Sequence, residues 1–227
     1  MTEMENRIGA VCAFAGCALL GVGTVMHPMG ADPNNAVAAF TEYAADKNWI
    51  AGHLAQFAGF ALLVAAMLVL AQQLRESAPA GLRQLAAGGA IASLALGAAL
   101  QAVDGIALKA MVDVWAAAPA PEKEAAFHAA FAVRQLEIGL ASLLSMVTGV
   151  TGGLFGALLR LDRRYPPWIG VVAVAGGIGF AVAGVAMAFT GFSPLVMSLQ
   201  MPASLLLLTW IVAVAAIMWR QAEKAAG

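Results

Sequence analysis

FHAAFAVRQLEIGLASLLSMVTGVTGGLFGALL, residues 127–159, is the stretch on which the fold turns. A helix needs about 20 consecutive apolar residues to cross a bilayer. This run exceeds that length with only Arg134 and Glu137 charged. A soluble helix of the same length would carry a charged stripe, whereas the polar positions after Glu137 here are all serine or threonine. Gly149 and Gly153, like Gly152 and Gly156, are spaced four apart, which lets helix backbones approach closely. That spacing suits contact with another helix of the chain and the face of a homo-oligomer equally.

The flanking sequence has the same character. The 227 residues are 62% hydrophobic and 11% charged, with a mean hydropathy of +0.84, which excludes a soluble globular protein. Further apolar runs at residues 8–27, 50–72, 85–112, 168–190 and 197–219 bring the number of spans to six. The chain therefore reads as all-α, a polytopic membrane bundle of six transmembrane helices arranged as three hairpins, with residues 1–227 forming one domain. The third and fourth runs are longer than a bilayer requires, so they are expected to tilt or to project past the headgroups. Between the first two spans, Ala36 to Tyr43 has the spacing of a short amphipathic helix, suited to capping a cavity.

Basic residues fix the expected orientation. Arg7, Arg75, Arg83, Arg160, Arg163, Arg164, Arg220 and Lys224 fall at one end of the spans, and only Lys47 and Lys123 at the other. By the positive-inside rule the chain sits in the plasma membrane with both termini cytoplasmic and the lipid bilayer as its first partner. The leader, with Glu3, Glu5 and Arg7, reads as the start of a retained helix and not of a cleaved signal. A net charge of −1 without any basic run gives no footing for nucleic acid.

Function is expected where charge enters hydrocarbon, because each such group costs at least about 2.5 kcal/mol to insert. Asp104, Lys109, Asp113, Arg134 and Glu137 are the residues concerned. Helical rise puts Lys109 shallow, Asp104 deeper, and Arg134 and Glu137 towards the midplane. Arg134 and Glu137 are three apart and Lys109 and Asp113 four apart, so each pair shares a helix face. Asp104 shares a face with Gln101 and is expected to reach Arg134 or His128 across helices. A ligand-binding pocket for a small molecule or ion, used for transport or sensing, is then lined by His53, Gln56, Gln101, Asp104, Lys109, Arg134, Gln135 and Glu137.

The histidines support a second reading. His27, His53 and His128 all fall on the outer side, and three converging imidazoles suit a metal or a haem. In Met26-His27-Pro28-Met29, thioethers flank the imidazole, a donor set that suits cuprous copper. A third reading, an intramembrane acid–base enzyme, would use Asp104, Glu137 and a histidine. The sequence contains no Gly-x-Ser-x-Gly, His-Glu-x-x-His, phosphate-loop or Cys-x-x-Cys motif to name a reaction.

Arg164-Tyr165-Pro166-Pro167-Trp168-Ile169-Gly170, entering a glycine-rich fifth helix, and Met201-Pro202-Ala203, leading into an apolar helix through Trp210, make up a recurring plan. In these features the chain resembles a bacterial six-helix membrane family catalogued as a domain of unknown function. The resemblance implies the six-helix fold and carries no activity or site residues.

Overall fold

The computed structural model describes residues 3–226, among which there is no strand. The helices are α1 (Glu3–Met26), α2 (Ala36–Ala45), α3 (Trp49–Gln73), α4 (Ala80–Gln101), α5 (Lys109–Ala117), α6 (Lys123–Leu159), α7 (Pro167–Thr190) and α8 (Pro194–Ala226). A π-helical segment, Ala102–Leu108, joins α4 to α5 without a break. Among the described residues six helices are long and apolar enough to cross a membrane: α1, α3, the continuous Ala80–Ala117 helix, α6, α7 and α8. All six expected spans are present.

Packing between the helices closes a ring. α3 lies against α1, α1 against α8, α8 against α7, α7 against α6, α6 against α4, and α4 against α3. The three expected hairpins are neighbouring pairs in this ring, but the most extensive contact, between α6 and α7, joins two different hairpins.

Small residues set these seams. On α6, Ser142, Gly149 and Gly156 are seven apart, and on α7 so are Gly170, Gly177 and Gly184. Seven residues make almost two turns, so each triplet keeps to one stripe. The stripes meet antiparallel. Ser142 Oγ donates to the Gly184 carbonyl oxygen at 2.9 Å, and a Cβ on Gly156 would stand 2.7 Å from the Gly170 oxygen. The α1–α3 seam is built alike, for a Cβ on Gly16 would lie 2.8 Å from the Gly59 oxygen. Part of the glycine pattern seen in the sequence is therefore used inside the chain, between α6 and α7.

The Ala80–Ala117 helix and α6, at 38 and 37 residues, are longer than α1, α3 and α7 at 24 to 25, and they project at the end where α2 lies. α2 covers that projection. Phe40, Tyr43, Trp49, Val112, Trp115 and Ala130 form a separate apolar cluster there. Asn35 caps α2, its side-chain oxygen accepting from the Ala38 amide at 3.2 Å. Lys109 closes the other end, its Nζ donating to the carbonyl oxygens of Tyr43 and Ala44 at 3.0 and 3.1 Å.

At the opposite end a polar latch ties α1, α3 and the α6–α7 connection together. Gln73 donates to the Asn6 side-chain oxygen and accepts from the Tyr165 hydroxyl. Arg164 donates to the Gln73 carbonyl oxygen at 2.5 Å and to the Asp162 carboxylate, which also accepts from Ser77 at 2.6 Å. Burial works against the Asp162 anion, but these donors outweigh it and hold its pKa down to about 2. Tyr165-Pro166-Pro167 is the turn that positions this latch, with Pro167 opening α7.

Candidate functional site

The ring surrounds a partly open cavity of about 360 Å³ to which all six spans contribute. Its walls are mostly apolar, among them Phe57, Phe60, Met67, Phe180, Leu207 and Trp210. Polar groups enter from five of the spans: Thr24, Gln56, Gln101, Thr148, Gln200 and Ser204. No charged residue lines it. Three of its lining residues hold a buried polar atom with no hydrogen-bond partner in the protein: Gln101 Oε1, Thr148 Oγ1 and Trp210 Nε1. An acceptor, a hydroxyl and a donor are thus left without partners around one space, at an expense of about 1–3 kcal/mol each unless something bonds them.

Between this cavity and α2 lies a charged layer. Gln101 Nε2 donates to Gln56 Oε1 at 3.3 Å, and three residues further along each helix stand, respectively, Asp104 and, in the opposite direction, His53. His53 Nε2 is 3.1 Å from Asp104 Oδ2. Trp49 Nε1 donates to the Asp104 carbonyl oxygen at 3.1 Å, within the π-helical segment. Gly105 allows this approach, since a Cβ there would stand 2.6 Å from His53 Cβ. The imidazole of His27 packs on Trp49 and His53, with ring centroids 4.8 and 5.1 Å away. One ligand atom each from His27, His53 and Asp104 falls within 4.8 Å of the others.

Beside this group lies the buried ion pair. Arg134 Nη1 donates to both Glu137 oxygens at 2.7 Å, and the two residues are 5% and 3% exposed. Arg134 Nη2 donates to the Pro33 carbonyl oxygen at 3.2 Å, and the guanidinium lies over the rings of Tyr43 and Phe192, at 5.5 and 4.7 Å. Burial raises the Tyr43 phenol to about 12, against the pull of Arg134, and keeps it neutral.

Several expectations need correction. Arg134 and Glu137 are not at the midplane: contacts to Pro33 and Phe192, in the connections after α1 and α7, put them at the α2 end of the bundle. The cause is the overhang of α6, whose first turns precede the bundle. Asp104 pairs with His53 and not with Arg134 or His128. Lys109 forms the expected 2.7 Å pair with Asp113, yet its other bonds fasten α2, and it does not line the cavity. Gln135 is exposed on the outer surface of α6. His128 is 68% exposed, beside Glu124, and does not join His27 and His53. Met29 is 64% exposed, so its thioether does not complete a copper site. The rings of His27, His53 and Trp49 are in mutual contact, which leaves no slot for a haem between the two imidazoles.

Of the residues expected to line a pocket, Gln56 and Gln101 line the cavity itself, and His53, Asp104, Arg134 and Glu137 make the layer above it. Thr24, Thr148, Gln200, Ser204 and Trp210 went unread in the sequence. Their one signal was polarity within or beside an apolar run, which serine and threonine often show by bonding their own helix.

A ring of six apolar helices around a partly open, mostly apolar cavity, with a buried ion pair and a histidine–carboxylate layer at one end, defines an all-helical multi-pass membrane protein. The chain belongs to the family described as a domain of unknown function (DUF4386), whose model matches residues 8–215. No curated protein and no solved structure matches it.

Proposed function

We propose that the protein binds one small, uncharged, amphipathic molecule in the central cavity, for transport or sensing, as a single domain of the plasma membrane with both termini cytoplasmic. The observation that carries this reading is the trio of unpartnered polar atoms, Gln101 Oε1, Thr148 Oγ1 and Trp210 Nε1, around a space otherwise walled by apolar side chains. The volume of about 360 Å³ lies within the roughly 300–1,000 Å³ of small-molecule sites. An apolar body with at least one donor and one acceptor satisfies both the walls and the trio. A formal charge is disfavoured, since no lining residue would pair with it. The concentration of basic residues at the end that holds the termini supports the orientation.

The test is titration of the purified protein in detergent with 1-aminoanthracene, a neutral amphipathic fluorophore that brightens in apolar surroundings. Saturable binding of one equivalent is expected. Thr148→Phe, which fills the cavity, should abolish it, and Thr148→Val, which removes only the hydroxyl, should weaken it by up to about tenfold. A signal that does not saturate, or that is unchanged in Thr148→Phe, would overturn the reading.

A further inference from the structure

The histidine layer has a donor arrangement that the cavity does not use. His53 Nδ1 lies 2.7 Å from the Trp49 carbonyl oxygen, and His27 Nδ1 lies 2.8 Å from the Pro28 carbonyl oxygen. A carbonyl oxygen only accepts, so in both rings Nδ1 carries a proton and Nε2 is the nitrogen left to take up a second proton or a metal ion. Metal-binding histidines are held in this way, one nitrogen donating to a backbone carbonyl so that the other is aimed and made more basic. The His53 Nε2 faces a carboxylate oxygen, Asp104 Oδ2, at 3.1 Å. That contact is satisfied by a cation between the two atoms, either a proton or a metal ion. The second carboxylate oxygen, Asp104 Oδ1, is buried and has no partner.

We propose that His27, His53 and Asp104 bind a divalent transition-metal ion of the zinc type. Two imidazole nitrogens and one carboxylate oxygen are the donors such an ion takes, and three protein ligands leave a coordination position open. Bonds of about 2.0–2.2 Å put ligand atoms roughly 3.4 Å apart, so the present maximum separation of 4.8 Å closes by little more than 1 Å. Charge also permits it. Arg134 is paired with Glu137 at 2.7 Å, which leaves the two imidazoles as the neighbours of the Asp104 carboxylate. Trp49 and Gly105 are positioning residues: Trp49 holds the Asp104 backbone and supplies the carbonyl that orients His53, and Gly105 lets the His53 side chain reach it. The sequence-based trio His27, His53 and His128 is thereby replaced in its third member, as the exposed His128 gives way to a carboxylate from the π-helical segment.

The experiment uses the full-length protein in detergent, stripped with a chelator and titrated with Co²⁺ by visible absorbance, then back-titrated with Zn²⁺. Uptake of one equivalent is expected, with the strong visible bands of a low-coordinate cobalt site that zinc abolishes. Replacing an outer-shell partner weakens metal sites by about 10–100-fold, so loss of a ligand in His27→Gln, His53→Ala or Asp104→Asn should exceed a hundredfold. His128→Ala should bind as the parent does, and so should Thr148→Phe, which alters only the cavity. Asp104→Asn keeps the shape of the side chain, so the test stands even where His53→Ala does not fold. No stoichiometric uptake, or uptake that persists in both Asp104→Asn and His27→Gln, would overturn the proposal and leave the His53–Asp104 contact as a proton-bridged pair.

Discussion

Arg134 and Glu137 show how a single pair of residues answers to two demands. Both ionised groups are out of water, and each is tolerable only because the other is 2.7 Å away. The pair also has a positional role, since Arg134 reaches the Pro33 carbonyl oxygen and lies over Phe192, joining α6 to two connections. Arg134→Met alone strands a buried carboxylate, and Glu137→Leu alone strands a buried guanidinium. Each should destabilise the protein by about 3–5 kcal/mol in detergent denaturation, the range for breaking a buried pair. The double variant removes both charges and should be clearly more stable than either single one. A double variant as unstable as the two single losses added together would show that the charges do not hold each other. Same-helix pairs of this kind were legible in the sequence, because spacings of three and four fix them regardless of the rest of the fold. The cross-helix partner of Asp104 was not. A π-helical turn carries an additional residue, which rotates the downstream side chains by about 100° relative to an α-helix, so a wheel drawn through Ala102–Leu108 misdirects Asp104.

The elements themselves were legible wherever the signal was length and apolarity, and α2 was legible from the spacing of Ala36 to Tyr43. The order of the helices around the ring was not, because a residue facing lipid and one facing a neighbouring helix are equally apolar. The cavity was hidden for the same reason. Close approach was marked in the sequence by glycine, although spacings of four do not say which stripe is used. On α6 the working stripe is Ser142, Gly149 and Gly156. Gly153 sits off it, and a Cβ built there meets nothing within 4 Å. A Cβ on Gly149 would stand 2.5 Å from the Gly177 oxygen and from the Ala181 amide nitrogen, both backbone atoms that cannot rotate away. Gly149→Ala should therefore part α6 from α7 and destabilise by about 1–3 kcal/mol, the usual consequence of overpacking. Gly153→Ala should be neutral or stabilise by up to about 1 kcal/mol through helix propensity. Denaturation of both variants in mixed micelles checks this. Equal losses at the two positions would mean that the seam is not set by the stripe.

Across the whole molecule the asymmetry of the two ends is the organising feature. One end carries the arginine-rich connections and the Asn6–Gln73–Tyr165 latch, and the other carries α2, its aromatic cluster, the buried ion pair and the histidine layer. In the proposed orientation the α2 end would face the outside, and the proposed metal site would meet extracytoplasmic molecules. Orientation therefore decides which solutes the site can sample, and it can be read directly. Cys12 and Cys17 are the two cysteines of the chain, so their replacement by alanine gives a background for single reporters. Ala45→Cys and Glu122→Cys report the α2 end, and Glu76→Cys and Leu161→Cys the other; all four positions are exposed, and none of the changes removes a basic residue. A membrane-impermeant maleimide applied to intact cells should label the first two, and the second two only after permeabilisation. The reverse pattern would turn the molecule over and give its polar layer to the cytoplasm. Labelling split within either pair would break the ring into a different number of crossings, because each pair consists of two connections that six consecutive spans must leave on the same side.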